Sequence, residues 1–218
     1  MRGVVRWCAA LAVLFFACRH AAAQEAPAPR WPRWEASVLG GYRFEGTFHF
    51  IGDVPYPTIE VDNTFTFAFS LGYHPNPNEE VEINYSYASP TASASPVFGG
   101  PNAFFDIGMH EFQAGFLVYL SDPSSRVRVY LEGLLGVTVL NTFGNVGDTV
   151  KFTPGISLGV KAYLTDHVGL RGEAHYTPMY LYTTGDGATL CFEDGGCWDT
   201  GARYLQQVDL RAGVTFRF

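Results

Sequence analysis

Apolar and polar residues alternate one by one along eight separate stretches of the chain. In the clearest stretch, Thr64–Tyr73, every odd position holds an aromatic residue or leucine and every even position holds a small or hydroxyl-bearing residue. A period of two is typical of a β-strand with one apolar face. The eight predicted strands are Trp34–Phe44, Thr64–Tyr73, Glu80–Tyr87, His110–Leu120, Arg126–Thr138, Gly155–Leu164, Val168–Tyr176 and Tyr204–Phe218.

The segments that connect these strands alternate in length. Three are tight (HPNPN, SDPSS and TDH), and four are long, at 45–63, 88–105, 140–152 and 177–202. An even number of strands, with short turns at one end and long loops at the other, is typical of an up-and-down membrane barrel. We therefore predict an all-β protein in which residues 34–218 form a transmembrane, eight-stranded, antiparallel up-and-down β-barrel.

A soluble barrel or a β-sandwich would show the same alternation, with the apolar face turned inward. Two features favour the membrane barrel. The polar face carries closely spaced charges of both signs, which suits a narrow interior filled by paired side chains. The apolar face places aromatic residues such as Trp34, Tyr73 and Tyr176 toward strand ends, where the two membrane interfaces require them.

The first 23 residues have the layout of a secretory signal peptide. Two arginines precede an apolar run from Ala9 to Ala17, and three alanines precede Gln24. The apolar run is too short to span a bilayer. Residues 24–33 are rich in proline and alanine, and we predict that they form a disordered lead to the barrel.

The chain is acidic, with 14 Lys and Arg against 21 Asp and Glu and a formal net charge of −7. Loss of residues 1–23 would remove three arginines and no acidic residue, so the mature chain would be more acidic still. This charge argues against nucleic acid as a partner.

Cys191 and Cys197 lie close together in the fourth long segment. In a secreted protein such a pair most simply forms a disulfide. A metal site is the alternative, but the segment contains no histidine and two thiolates are too few for a zinc tetrahedron. Cys8 and Cys18 lie in the predicted signal peptide, for which we predict cleavage after Ala23, with lipidation at Cys18 as the alternative.

The long segments also carry carboxylates and aromatic residues. The acidic spacing does not match an EF-hand loop, so we predict solvated acidic loops and no metal or cofactor; contact with divalent cations that bridge lipopolysaccharide is a weaker hypothesis. The aromatic residues suit contact with a surface partner. The residues are Asp53, Glu60, Asp62, Asp186, Glu193, Asp194 and Asp199, with the aromatics Tyr56, Phe98 and Phe143.

Charged residues on the polar face are predicted to lie inside the barrel. An eight-stranded interior is narrow, so buried charges there must pair with one another to offset the cost of losing water. We predict that they close the lumen, with a narrow pore of low conductance as the alternative. The predicted lumen network is Glu80, Glu82, Glu111, Arg128, Glu132, Lys161, Arg171, Glu173, Asp209 and Arg211.

The end of the chain, RAGVTFRF, resembles the C-terminal signal of Gram-negative outer-membrane barrels. Arg211 is the polar residue of that signal, Gly213 its glycine, and Phe216 and Phe218 its two aromatics. The resemblance implies that the barrel assembly machinery reads these four residues. The stretch Tyr163–Tyr176, YLTDHVGLRGEAHY, is similar to the penultimate hairpin of OmpA-like and opacity-adhesin-like eight-stranded barrels.

The resemblance implies the outer membrane of a Gram-negative bacterium as the location. That family contains structural membrane proteins, adhesins and narrow pores, in which the loops decide function. We therefore expect a structural or surface-interaction role, with outer-membrane lipid, lipopolysaccharide, the assembly machinery and an extracellular protein or surface ligand as partners.

His110 is the one residue that raises the question of catalysis. Some barrels of this size cut acyl chains from lipid A, and parity places His110 on the lipid face near the predicted extracellular end of its strand. Such a hydrolase needs a nucleophile and an orienting acid beside the histidine. The neighbours Tyr85, Tyr87 and Phe112 supply neither, so we predict an interfacial histidine and no enzymatic activity.

Overall fold

In the computed structural model of the chain, the described residues are 32–49, 58–95, 103–142, 149–180, 188–191, 197–200 and 204–218. The predicted signal peptide and most of the predicted lead fall outside these residues. No helix long and apolar enough to cross a membrane occurs within the described ranges. The strands are β1 (Trp34–Glu45), β2 (Thr47–His49), β3 (Thr58–Val61), β4 (Thr64–Asn76), β5 (Glu79–Ala88), β6 (Thr91–Ser95), β7 (Ala103–Tyr119), β8 (Val127–Thr142), β9 (Thr149–Phe152), β10 (Gly155–Tyr163), β11 (Val168–Tyr180), β12 (Ala188–Cys191), β13 (Cys197–Thr200) and β14 (Tyr204–Arg217).

Eight long strands form a closed antiparallel barrel. In the order β1, β4, β5, β7, β8, β10, β11 and β14, each pairs with the next. The last strand then pairs with the first, from Glu35 opposite Arg217 to Glu45 opposite Gln207. Closure leaves the barrel no free sheet edge. The predicted all-β class and eight-stranded up-and-down topology are confirmed.

Side chains alternate between the outer and inner faces of the barrel as the sequence predicts. In β4, Phe65 is 80% exposed on the outside, whereas Ala68 is buried inside. Leu39, the one apolar residue that breaks the alternation of β1, is 1% exposed and lies inside. The strand keeps its parity there and places a leucine in the lumen. A shift of one residue would instead turn all the remaining side chains of β1 to the opposite face.

The two ends of the barrel differ, and we call them the turn side and the loop side. The turn side carries the three short connections and the beginning of β1 and end of β14. In the turn after β7, Asp122 accepts hydrogen bonds from the hydroxyl and the amide of Ser124. These bonds hold the pKa of the Asp122 carboxyl below its usual value.

The loop side contains short strands where the sequence predicts loops alone. β2 pairs with β3, β3 with β6, and β6 with β7, so this small sheet continues the barrel wall. β9 pairs with β8 and touches β11, while β12 and β13 form a separate hairpin. The small sheet forms because β7 runs beyond its barrel partner β5, and its extra backbone groups need hydrogen-bond partners.

Aromatic side chains on the outer face are not confined to strand ends. Trp34 and Tyr73 do meet near the turn side, with ring centroids 5.0 Å apart. Phe67, Phe69 and Phe112, however, lie within the central parts of β4 and β7 and face outward. The predicted aromatic girdles are therefore accompanied by mid-strand aromatic residues on the side of the barrel formed by these strands.

Candidate functional site

The candidate site is the interior of the barrel, where charged side chains are packed together. All ten residues of the predicted lumen network lie inside and are at most 8% exposed. Their inward direction follows from strand parity, and their proximity follows from closure of the eight strands. These residues are Glu80, Glu82, Glu111, Arg128, Glu132, Lys161, Arg171, Glu173, Asp209 and Arg211.

Arg171 on β11 is the centre of the interior. Its Nη1 atom lies 2.7 Å from Glu82 Oε2, and its Nη2 atom lies 3.0 Å from Glu82 Oε1, which makes a two-pronged ion pair. Its Nε atom donates to Glu173 Oε2 at 2.9 Å. Nη1 also donates to Ser70 Oγ at 3.1 Å, and the Tyr130 hydroxyl donates to Glu173 at 2.6 Å. Paired geometry of this kind is the strongest form of hydrogen bond to a carboxylate.

A second group of charges lies toward the loop side. Arg43 Nε donates to Asp209 Oδ1 at 2.6 Å, and Arg43 Nη2 donates to Glu111 Oε2 at 3.1 Å. Arg211 also donates to Asp209. His175 Nε2 lies 3.5 Å from Glu111 Oε1. Two arginines therefore share one aspartate, and a glutamate lies between an arginine and a histidine.

A third group lies toward the turn side. Lys161 Nζ donates to Glu35 Oε1 and, at 2.8 Å, to Glu80 Oε2. Arg217 Nε donates to Glu35 Oε2 at 3.0 Å. The Tyr119 hydroxyl donates to Glu80 Oε2. Each buried carboxylate in this group therefore accepts from more than one donor, which offsets the cost of burying its charge.

The three groups are joined into one network along the lumen. Arg211 Nη1 lies 3.6 Å from Glu173 Oε1, which links the loop-side group to the centre. Lys161 Nζ lies 4.0 Å from Glu82 Oε2, which links the centre to the turn-side group. Charged side chains thus follow one another at ion-pair distance from one end of the barrel to the other. Such an arrangement can fill the interior and fix the register of the strands.

Two members of the predicted set lie at the margin of this network. Glu132 Oε2 is 3.8 Å from Arg171 Nη2, and Glu132 Oε1 accepts a hydrogen bond of 3.1 Å from Asn84. Arg128 lies near the turn side with its guanidinium carbon 3.7 Å from the centre of the Tyr119 ring. Arg128 therefore makes a cation–π contact, which the charge pattern of the sequence does not predict.

Inward glycines provide the space for large network side chains. A Cβ atom added at any of three such glycines would overlap a side chain from the neighbouring strand. The barrel wall is therefore shaped around the network, with the smallest residue opposite a long one. The pairs are Gly72 with Glu80, Gly115 with Glu132, and Gly159 with Tyr130.

Several network residues were not part of the predicted set. Glu35, Arg43 and Arg217 fall on the polar faces of their strands by parity, yet their pairing partners lie on strands distant in sequence. His74 lies one residue beyond the predicted end of its strand, so the alternation did not extend to it. Parity within the predicted strands already places Glu35, Arg43 and Arg217 inside, and continuation of parity one residue past Tyr73 places His74 inside as well.

Three residues of the predicted assembly signal, Arg211, Gly213 and Phe216, lie on β14, and Phe218 follows the end of that strand. Phe216 and Phe218 face outward, with Phe218 63% exposed, and Arg211 faces inward. The Phe218 amide donates to the Trp34 carbonyl at 3.0 Å, and the Trp34 amide donates to the Phe218 carbonyl at 3.2 Å. A Cβ atom at Gly213 would overlap the backbone of β1, so this glycine permits a close approach of the closing strands.

The predicted disulfide partners lie in the hairpin of β12 and β13. The backbones of Cys191 and Cys197 are directly opposite each other in its register. A bond between their sulfur atoms stays a prediction.

Of the predicted acidic residues, Glu60 and Asp62 are exposed on the loop side. Asp199 lies on β13, where the structure describes the backbone alone. The other acidic residues and the three loop aromatics lie outside the described residues.

His110 faces outward on β7, as parity predicts. Its Nδ1 atom lies 3.0 Å from the Tyr85 hydroxyl, and its ring centre lies 4.8 Å from that of Tyr87. In a hydrolytic triad an acid orients the histidine through one ring nitrogen while the other faces the nucleophile. Here a tyrosine hydroxyl occupies the position of that acid, and His110, Tyr85 and Tyr87 form a cluster of rings on the outer face.

Sequence comparison identifies one family. The family model described as outer membrane protein beta-barrel domain matches residues 8–218. No curated protein sequence matches the chain.

Solved structures of similar fold are outer-membrane barrels. Neisserial surface protein A is 15% identical, with a TM-score of 0.56 over 85% of this chain and 96% of its own. The outer membrane protein OprG from Pseudomonas aeruginosa is 13% identical, with a TM-score of 0.57 over 86% and 97%. The outer membrane protein AlkL is 14% identical, with a TM-score of 0.54 over 92% and 96%. At these identities the likeness concerns the fold.

Proposed function

Because the chain belongs to the outer membrane protein beta-barrel domain family, which places it in the outer membrane of a Gram-negative bacterium, we propose that it acts at the cell surface through its extracellular loops. On this proposal the lumen is closed by its own charged side chains and the barrel is a rigid membrane support. The turn side then faces the periplasm and the loop side faces the exterior.

The observation that carries the proposal is the continuous network inside the lumen. Ion pairs follow one another from Arg43 near the exterior to Arg217 near the periplasm. An ion that entered would have to separate buried ion pairs. Within each pair the two charges stabilise each other in surroundings with little water. The network therefore acts as a plug, and the parts of the protein left for contact with other molecules are the loops.

The surface of the barrel supports the proposed partners. Large apolar side chains such as Phe65, Ile83 and Leu135 are exposed on the outer face, where lipid would cover them. On the loop side, β2, β3 and β6 continue the wall beyond the barrel and enlarge the surface available to an extracellular protein or other surface ligand. Lipopolysaccharide and the barrel assembly machinery complete the proposed partners.

The proposal includes two further statements about the loop side and the lipid face. Cys191 and Cys197 form a disulfide that closes the β12–β13 hairpin, since directly opposed backbones allow the short separation that such a bond requires. His110 is an interfacial residue and the protein is not an enzyme. The hydrogen bond between His110 and Tyr85 supports this role of His110, because the ring nitrogen that an orienting acid would contact is already bound to a tyrosine.

A narrow pore is the second candidate function, and unpaired atoms near the exterior favour it. Arg43 Nη1, His175 Nε2 and Gln207 Oε1 are buried and have no hydrogen-bond partner among the described atoms. Water is the usual partner of such atoms. A chain of water molecules beside the network would allow a small ion current.

Planar-bilayer recording separates the two candidates. The closed-lumen proposal predicts that the purified barrel gives no discrete current steps, because its buried ion pairs block passage. A gel of the unboiled sample, in which a folded barrel migrates differently from the boiled chain, shows that folded protein was added. Steps that change in size or disappear in Glu132→Ala would contradict the closed lumen and establish the pore.

A further inference from the structure

Three side chains at the periplasmic mouth of the lumen converge on one point. Glu35 is the second residue of β1, Glu80 the second residue of β5, and His74 lies near the end of β4. One ligand atom from each of them lies within 4.8 Å of the others. We propose that Glu35, His74 and Glu80 form a binding site for a divalent first-row transition-metal ion.

The His74 imidazole is held in position but lacks a partner for one nitrogen. Its backbone amide donates to the Arg33 carbonyl at 2.8 Å, and its ring is stacked on Tyr119 with centroids 5.9 Å apart. Nε2 is buried and has no hydrogen-bond partner, although the residue is 8% exposed. A buried polar atom without a partner is costly, so its position needs an explanation.

The distances around Nε2 supply that explanation. Nε2 lies 3.7 Å from Glu35 Oε2 and 3.6 Å from Glu80 Oε2. Both separations are too long for a hydrogen bond. Two ligands bound at about 2.0–2.2 Å to one tetrahedral ion are about 3.3–3.6 Å apart. A nitrogen that faces two carboxylate oxygens at this spacing is nearly placed to share an ion with them.

Lys161 already occupies part of this region, and one carboxylate oxygen there has no hydrogen-bond partner. Lys161 Nζ contacts Glu35 Oε1 and Glu80 Oε2, whereas Glu80 Oε1 is buried with no hydrogen-bond partner. Lys161 also lies 4.0 Å from Glu82, so three carboxylates surround its single charge. Arg217 adds one cation at Glu35. Arg171 in turn contacts Glu82, so three cations contact these three carboxylates, and the acceptor left without a hydrogen bond is Glu80 Oε1.

The donor set defines the class of ion. One imidazole nitrogen with two carboxylates suits Zn²⁺ and related transition-metal ions, whereas Mg²⁺ and Ca²⁺ prefer oxygen ligands alone. The periplasmic mouth also gives access, because the short β4–β5 turn separates His74 from Glu80 and leaves both near the end of the barrel. The ion would tie β1, β4 and β5 together where the barrel opens to the periplasm.

Calorimetric titration of the folded, chelator-treated barrel with Zn²⁺ tests the proposal. We expect one ion per chain, and we expect His74→Phe to weaken binding by at least about tenfold, since a ligand nitrogen is lost while an aromatic ring remains against Tyr119. His110→Phe is the matched control on the lipid face and should bind Zn²⁺ as the native chain does. Mg²⁺ at the same concentration should not compete.

Folding of each variant is checked by the mobility of the unboiled sample. If His74→Phe does not fold, Glu80→Gln provides the same test, because it removes a ligand charge with little change of shape. Zn²⁺ binding that is unchanged in the folded ligand variant, or equally weakened in His110→Phe, would overturn the proposal. So would the absence of Zn²⁺ binding to the native barrel, and none of these results depends on whether the lumen conducts ions.

Discussion

Replacement of Arg171 by methionine is expected to destabilise the folded barrel by about 3–5 kcal/mol, the cost typical of removing one partner of a buried ion pair. Arg171 is the residue around which Glu82, Glu132 and Glu173 gather, and all three carboxylates are buried. Without the guanidinium they repel one another in surroundings with little water. Urea unfolding of the barrel in detergent micelles or lipid vesicles measures the change.

A matched control separates this effect from the loss of any arginine. Arg126→Met removes the same charge from an exposed position on the turn side and should change stability by less than about 0.5 kcal/mol. The double variant Arg171→Met/Glu82→Gln should be more stable than Arg171→Met alone, because one of the uncompensated carboxylates is then neutral. Equal stability of Arg171→Met and the native barrel would show that the central ion pairs do not hold the fold.

Deletion of Phe218 is expected to reduce the amount of barrel inserted in the outer membrane severalfold, with a much smaller effect on barrel that has already folded. The residue contributes two backbone hydrogen bonds to Trp34 and an outward ring. Loss of two such bonds costs no more than about 3 kcal/mol. On the proposed role of Phe218 in assembly, its recognition by the assembly machinery would be lost with the residue. The amount of folded barrel in membrane fractions, measured by its heat-modifiable gel mobility, reports insertion. Urea unfolding of the purified protein reports stability.

Phe67→Ala serves as the comparison for this deletion. Phe67 is an outward phenylalanine within β4, so its truncation also removes an aromatic ring from the lipid face. We expect it to insert in cells much as the native chain does. Insertion of the Phe218 deletion at the native level would refute the proposed assembly signal, while β14 would still be the closing strand.

The sequence was sufficient to predict the barrel because a period of two constrains every residue of a strand at once. Parity alone placed Arg171 and Lys161 inside and Phe65 outside, and closure followed from an even number of strands joined by alternately short and long connections. Leu39 shows the strength of this constraint, since an apolar residue at an inward position did not move the strand out of register.

The details of the loop side and of the network could not be predicted in the same way. The strand TASAS, residues 91–95, alternates small residues without any large apolar side chain and is a strand because β3 and β7 supply hydrogen-bond partners on its two sides. The partner of each lumen charge depends on side-chain direction across the barrel, as for Arg43 and Asp209, which are far apart in sequence. His74 was missed because it follows the last apolar residue of its strand.

The most direct test of the closed lumen is the solvent exchange of arginine Nε–H protons, measured by NMR on the folded barrel. The Nε–H groups of Arg43, Arg171, Arg211 and Arg217 each donate to a buried carboxylate. The account predicts that these four signals exchange slowly at neutral pH, while exposed Arg33 and Arg126 exchange rapidly. Exchange of all six arginines at the same rapid rate would contradict it, because the lumen would then be filled with water.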